Sequence, residues 1–156
     1  MSAPTWLAAF AFTTTFPVVS KSNHRHTTVP AASAAWRRFK SFESALALDA
    51  RQSLPINWPS LAADLPLPRR PKVALCIIAS TRIDAANLPK SVTDALEGVC
   101  YVNDASACLV SSLAIRSTTP AAVVAVAVFD ADTAPEVMLA DFPALQALAW
   151  NQFSTL

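Results

Sequence analysis

The 156-residue sequence contains a single glycine, Gly98. Phosphate-binding loops need several glycines, because only glycine lets the backbone approach a phosphate closely in the required conformations. The sequence therefore excludes a P-loop or a glycine-rich dinucleotide-binding loop. Twelve prolines supply the chain breaks that glycines provide in other proteins.

Cysteine is also scarce, and its spacing is not that of a zinc site. Cys76, Cys100 and Cys108 form no CxxC pair, and the two histidines, His24 and His26, lie far from them in the sequence. An odd number of separated thiols fits a reducing compartment. The sequence therefore predicts a cytoplasmic protein.

Long apolar runs are missing as well. No run reaches the roughly eighteen residues that a membrane-spanning helix needs. The apolar N-terminal stretch 6–12 lacks a preceding basic region and is followed by three threonines, so we do not expect a secretory signal there. The sequence predicts no membrane partner.

Basic residues are absent from the last 40 positions, which carry four acidic residues. All twelve lysines and arginines lie between Lys21 and Arg116, and with seven acidic residues the segment 1–116 has a net charge of +5 (12 − 7). A polyanion such as DNA would bind this segment. The same distribution also fits an ordinary polar surface with an acidic tail.

Hydrophobic residues make up 53% of the chain, which is enough for one compact domain with a core. The hydrophobic periodicity predicts the order β-α-β-α-β-β followed by a helical tail. The predicted strands cover residues 7–16, 73–79, 108–116 and 121–129, and the predicted helices cover 31–50 and 87–98, with one helical turn in the proline-rich segment 52–71. This order favours an α+β (α/β-like) fold, a mixed sheet with helices packed on it.

Two details of this prediction concern the last 50 residues. Strands 108–116 and 121–129 are separated by a short turn and are expected to form a hairpin. Thr133 to Glu136 has the pattern of a capping box, so we expect a short helix there and a second helix from Asp141 to about Trp150. The predicted division is a main domain, 1–129, and an acidic, hydrophobic helical extension, 130–156, packed on the same domain.

The most informative stretch contains Asp84, Lys90, Asp94 and Asp104, in a chain that is only 15% charged. Asp84 follows a buried strand at the start of the next helix, a common place for ligands. Carboxylate oxygens there could hold Mg²⁺ or Mn²⁺ for phosphodiester hydrolysis, and Lys90 could neutralise a phosphate. On the helix, Asn87, Lys90 and Asp94 share one face because they are spaced i, i+3, i+7.

The same residues also have a purely structural interpretation. Asp84 and Asn87 could cap a helix, Lys90 and Asp94 could form an exposed ion pair, and Asp104 could mark a turn. Spacing alone does not distinguish the two interpretations.

The motifs resemble those of the RusA family of Holliday-junction resolvases. Residues 84–90 (DAANLPK), 94–96 (DAL) and 103–104 (ND) follow that family's pattern of Asp-x-Asp-Asn-Leu-x-Lys, then Asp-Ala-Leu, then Asp-Asp. Residues 17–26 (PVVSKSNHRH) resemble its N-terminal Pro-x-x-Ser-x-Asn region. The resemblance covers about residues 9–129.

The resemblance implies a homodimer that cuts branched DNA, the four-way junction, by paired nicks using Mg²⁺ or Mn²⁺. It implies that Asp84 and Asp104 are metal ligands and that Lys90 is catalytic, with both aspartates taking part in catalysis. Asp94 is predicted as a further metal ligand if the helix turns it inward. The residues that we predict to contact DNA are Lys21, Asn23, Arg25, Arg82 and Asn87.

Two positions depart from the family pattern. Ala86 stands where the second aspartate is expected, and Asn103 replaces the first member of the Asp-Asp pair. Because alanine cannot bind a metal, three hypotheses remain open. The first is a junction endonuclease acting in recombination and repair, and the second is a relative that binds branched DNA without cutting. The third is a protein-interaction module on the same fold, with the helical tail docking on a partner.

Overall fold

The computed structural model describes residues 2–19 and 34–156. Four strands and four α-helices form an α+β fold, as the sequence predicts. Their bounds are β1 (Ala8–Thr14), α1 (Ala34–Ser53), α2 (Trp58–Leu61), β2 (Lys72–Thr81), α3 (Leu88–Leu96), β3 (Ala107–Arg116), β4 (Ala121–Phe129) and α4 (Pro135–Phe153). Short 3₁₀ turns, Ala85–Asn87 and Asp104–Ser106, precede α3 and β3.

The sheet has the strand order β1-β4-β2-β3. β4 is antiparallel to both of its neighbours, whereas β2 and β3 are parallel and are connected through α3. The predicted hairpin between β3 and β4 is therefore wrong, because β2 lies between them. β2 and β4 are almost continuously apolar, so both take central positions that are covered on two faces, and the half-exposed β3 is left at the edge.

Each face of the sheet carries its own layer of helices. On one face, α1, α2 and α3 bury residues such as Phe39, Trp58 and Leu88 against alternate residues of β1, β2 and β4. On the other face, α4 covers the remaining residues of the central strands, including Cys76 and Phe129. The catalytic candidates near α3 therefore lie on the face opposite α4.

The tail forms one helix, so the expectation of two helices is wrong. α4 runs through Pro143, and its cap residue is Ala134, without a side-chain cap, rather than the predicted capping box. A buried stripe of residues at helical spacing holds the helix on the sheet, namely Met138, Phe142, Leu145 and Ala149. This packing offsets the hydrogen bond that proline removes. Among residues 2–19 and 34–156, no helix has the length and apolarity needed to cross a bilayer.

The proline-rich segment contains the single predicted helical turn, α2, which anchors the loop after α3. Trp58 is fully buried, and its Nε1 donates a hydrogen bond to the backbone carbonyl of Cys100 at 2.8 Å. The ring of Trp58 also meets Phe10 edge-on, with a centroid distance of 4.8 Å. The hydrogen bond to Cys100 therefore holds the start of segment 98–104, which leads to Asp104, against the core.

We expect Trp58→Phe to lower the free energy of unfolding by about 1–3 kcal/mol, because it leaves a buried carbonyl without its donor and removes ring volume. Urea denaturation followed by circular dichroism measures the change. Trp150→Phe is the matched control, because Trp150 is 49% exposed and its replacement should leave stability nearly unchanged. Equal stability of the wild type and Trp58→Phe would contradict the assignment of this hydrogen bond.

Candidate functional site

Asp84 lies just beyond the end of β2 and forms an exposed ion pair. Its Oδ1 accepts a hydrogen bond from Nη2 of Arg116 at 2.6 Å, and the two side chains are 69% and 64% exposed. The same guanidinium donates through Nη1 to the backbone carbonyl of Arg82. An ion pair this exposed contributes little to stability, but it places a positive charge beside the carboxylate that the sequence predicts as a metal ligand.

α3 carries the predicted lysine and a second aspartate. Lys90 Nζ lies 3.2 Å from Asp94 Oδ1, one helical turn away, with Lys90 largely exposed and Asp94 mostly covered. Asn87 occupies the cap position of α3, but its side chain makes no cap hydrogen bond. The helix ends at Leu96, and the chain reverses at Gly98, whose φ of 83° is unfavourable for residues with a Cβ.

Asp104 opens the 3₁₀ turn that leads into β3. Asn103 caps this turn, since its Oδ1 accepts a hydrogen bond from the backbone N–H of Ala105 at 2.9 Å. Asn103, which departs from the family pattern, therefore has a structural role as the cap of this turn. Asp104 itself is exposed and is available for a ligand.

Tyr101 is a buried residue between α3 and the turn that contains Asp104. Its buried hydroxyl donates to the backbone carbonyl of Thr93 at 2.7 Å. Burial raises the pKa of Tyr101, and nearby ionisable groups raise it further, namely Cys100, Asp94, Glu97 and Asp104. Asp94 and Asp104 thus both disfavour ionisation of the Tyr101 hydroxyl.

Asp84 and Asp104 lie at opposite ends of the β2–β3 pair. Val73 faces Ala107 at one end and Thr81 faces Arg116 at the other. Asp104 precedes the first of these pairs and Asp84 follows the last, although the chain after Asp84 turns back over β3, where the carbonyl of Ala85 accepts a hydrogen bond from Ser112 Oγ at 2.8 Å.

The strand order therefore does not by itself bring Asp84 and Asp104 together. In the part of the chain that the structure describes, no group of three or more His, Cys, Asp or Glu residues could hold a metal ion. Mg²⁺ is commonly bound through one or two carboxylates together with substrate phosphates and waters. Asp84 and Asp104 are both exposed, and either one can serve as such a carboxylate.

The predicted DNA-contacting residues divide into two groups. Arg82 is exposed beside Asp84, and Asn87 is half-buried at the start of α3. Lys21, Asn23 and Arg25 lie outside the described residues.

Arg116 was not predicted as a site residue. It is the last basic residue of the chain, which is the only signal that the sequence offers. Its position beside Asp84 depends on the parallel pairing of β3 with β2. The expected β3–β4 hairpin gave no reason to place the end of β3 near Asp84.

A comparison with known protein families identifies the family of this chain. Residues 15–127, more than half of the chain, match the family model described as endodeoxyribonuclease RusA. The chain is a member of the RusA family. This membership confirms the resemblance read from the motifs, and the matched region contains every candidate residue from Lys21 to Asp104. No curated protein matches the sequence.

The RusA family comprises DNA-binding endodeoxyribonucleases that resolve Holliday junctions, generally with a divalent metal and as dimers. The protein retains the family's first aspartate, lysine and last aspartate as Asp84, Lys90 and Asp104. The roles of these residues here are predictions, as is the division of the chain into 1–129 and 130–156.

Proposed function

We propose that this RusA-family protein is a metal-dependent, structure-specific endonuclease that resolves four-way DNA junctions in recombination and repair in the cytoplasm. The observation that carries the proposal is the family match, which spans Asp84, Lys90, Asp94 and Asp104 in the family's order. The net charge of +5 over residues 1–116 (12 − 7) is consistent with a DNA partner.

The proposed active form is a homodimer whose metal site is shared between copies. The support is the topology, in which Asp84 follows the C-terminal end of β2 and Asp104 precedes the N-terminal end of the parallel β3. Asp84 of one copy and Asp104 of a second copy would together provide the two carboxylates. Mg²⁺ or Mn²⁺ held there with a DNA phosphate would supply an activated water and neutralise phosphoryl charge.

The residues of α3 take supporting roles in this proposal. Lys90 exchanges its contact with Asp94 for the DNA phosphate at the cut site, which its exposed ammonium can reach without a change in the helix. Asp94, one turn from Lys90 on α3, remains the further candidate for a metal ligand. Arg82, Asn87 and the segment that contains Lys21, Asn23 and Arg25 contact the DNA backbone.

A second candidate function has specific support. Ala86 supplies no carboxylate where the family has one, and Arg116 already neutralises Asp84. A protein with these features could bind branched DNA and leave it intact. The third hypothesis, docking of the tail on a partner, has less support because α4 buries its apolar stripe on the sheet of its own chain.

Incubation with a labelled four-way junction and Mn²⁺ distinguishes these functions. We expect paired nicks near the branch point, with linear duplex of the same sequences left uncut at equal protein concentration. Metal chelation should stop cutting but leave gel-shift binding measurable. Binding to the junction without any cutting, at all protein and metal concentrations, would contradict the enzyme and select the second candidate.

A further inference from the structure

A serine interrupts an apolar row on the face of β3 that meets α3. Val110 and Ala114 of this row pack against the core that α1 and α3 cover. Ser112 lies between them, and because side chains alternate along a strand, its hydroxyl is on the same face. A half-buried hydroxyl in such a row calls for a hydrogen-bond partner. Ser112 Oγ donates to the backbone carbonyl of Ala85, the residue after Asp84, at 2.8 Å.

The carbonyl of Ala85 does not depend on Ser112 for a hydrogen bond. It also accepts from the backbone N–H of Leu88, which closes the 3₁₀ turn before α3. The turn can therefore form without the serine. The contribution of the Ser112 hydroxyl is to connect the turn to β3, and this connection fixes where Asp84, which precedes the turn, lies relative to the sheet.

Arg116 supplies a second connection from the same face of β3, four residues after Ser112. Its Nη1 donates to the backbone carbonyl of Arg82, and its Nη2 donates to Oδ1 of Asp84 at 2.6 Å. The backbone is thus held at Arg82 and at Ala85, on either side of Asp84. The Arg116 side chain is 64% exposed, so solvent weakens its contacts, and the half-buried Ser112 is the better shielded connection.

These contacts leave one oxygen of the Asp84 carboxylate open to a ligand. Arg116 engages Oδ1, and within residues 2–19 and 34–156 no hydrogen bond reaches the other oxygen. Carboxylates that bind metals are usually held in place by outer hydrogen bonds, and loss of such a bond typically lowers metal affinity or activity about 10–100-fold. The surroundings of Asp84 have this character.

We propose that Ser112 is a positioning residue for Asp84. Its hydroxyl holds the Asp84 segment on β3, so that the exposed carboxylate is presented to a metal ion and a DNA phosphate in one defined place. The inference rests on the proposed function, in which Asp84 binds the metal, and adds the residue that sets its position. A serine with no more than a packing role in β3 would affect only the stability of the fold.

Hydrogen exchange on the full chain, without metal or DNA, tests the connection directly. The backbone N–H of Asn87 donates to the backbone carbonyl of Asp84 at 2.9 Å and reports on this segment. We expect Ser112→Ala to speed exchange of the Asn87 amide about tenfold by increasing local opening, and to leave exchange in the central strands unchanged. Ser112→Thr keeps the hydroxyl and should restore slow exchange. Ser111→Ala is the matched control, because Ser111 lies on the opposite face of β3.

Junction cleavage tests the consequence for the metal site. We expect Ser112→Ala to raise the Mn²⁺ concentration for half-maximal rate about tenfold and to lower the maximal rate about tenfold. The dissociation constant for the junction should not change, because the serine does not contact DNA in this proposal. Ser112→Thr should recover both values, and Ser111→Ala should match the wild type. Urea denaturation should give all four proteins similar free energies of unfolding.

Faster Asn87 exchange in Ser112→Ala, reversed by Ser112→Thr, supports the connection whether or not the protein cuts junctions. Equal exchange in Ser112→Ala and Ser111→Ala overturns it. Wild-type Mn²⁺ dependence of Ser112→Ala, or a loss of activity explained by lower stability or weaker junction binding, overturns the positioning role. If the exchange pattern holds but no protein cuts junctions, the connection stands and the proposed function fails.

Discussion

Replacing Asp84 by asparagine is expected to lower the rate of four-way junction cleavage about 100-fold or more. The exchange keeps the size of the side chain but removes the negative charge that would hold the metal. Loss of metal-assisted stabilisation of the transition state costs several kcal/mol, and each 1.4 kcal/mol is about a factor of ten in rate. The rate is measured under single-turnover conditions with Mn²⁺.

The fold and the binding of DNA should survive Asp84→Asn. Asp84 is 69% exposed, and its pair with Arg116 is of the kind that adds little to stability. Asp64→Asn is the matched control, because Asp64 also forms an exposed pair with an arginine, Arg70, at 3.4 Å. Cutting by Asp84→Asn at the wild-type rate would remove Asp84 from the site.

Ala86→Asp is expected to increase cleavage and to lower the Mn²⁺ concentration needed for half-maximal rate by about tenfold, because an added carboxylate strengthens a hard-cation site. Ala86 is exposed in the 3₁₀ turn Ala85–Asn87, two residues after Asp84, so an aspartate fits there without repacking. Titration of the cleavage rate with Mn²⁺ measures the effect.

A matched control separates a local ligand from added charge. Ala147→Asp introduces the same charge at an exposed position of α4, on the opposite face of the sheet. It should leave the metal dependence unchanged. If Ala86→Asp behaves like Ala147→Asp, residue 86 does not face the metal site, and the departure from the family pattern at this position has no bearing on activity.

Most elements of the fold follow from local pattern. The alternating residues of β1, the apolar runs of β2 and β4 and the stripe of α3 each specify their own conformation. The pairing of β3 does not follow from local pattern, because a short turn before β4 suggests a hairpin. The observed order depends on which strands are apolar enough to be buried on both faces, which is a property of the whole sheet.

The tail illustrates the same limit. Pro143 and the Thr133–Glu136 pattern favour two helices when they are considered alone. The single helix α4 forms because its buried stripe, Met138, Phe142, Leu145 and Ala149, matches the second face of the sheet. Packing against the sheet therefore overrides the helix-breaking tendency of Pro143. The sequence of the tail alone does not show which surface the tail covers.

The candidate site shows what sequence order can and cannot give. The motif identifies Asp84, Lys90 and Asp104 and the family to which they belong. Their separation along the β2–β3 pair, and the contact between Asp84 and Arg116, follow from the parallel strand order. Asp84 and Asp104 are close in the sequence, which suggested one cluster. In the parallel β2-α3-β3 unit, however, the residue before the helix and the residue after it belong to opposite ends of the two strands.

Mixing two inactive variants, Asp84→Asn and Asp104→Asn, tests the shared site most directly. In a mixed dimer, one site combines both substitutions and the other combines the intact Asp84 of one copy with the intact Asp104 of the other. Random mixing should restore nicking to about a quarter of the wild-type number of sites, because half of the dimers are mixed. Wild-type cleavage with no recovery in the mixture would contradict a metal site shared between two copies.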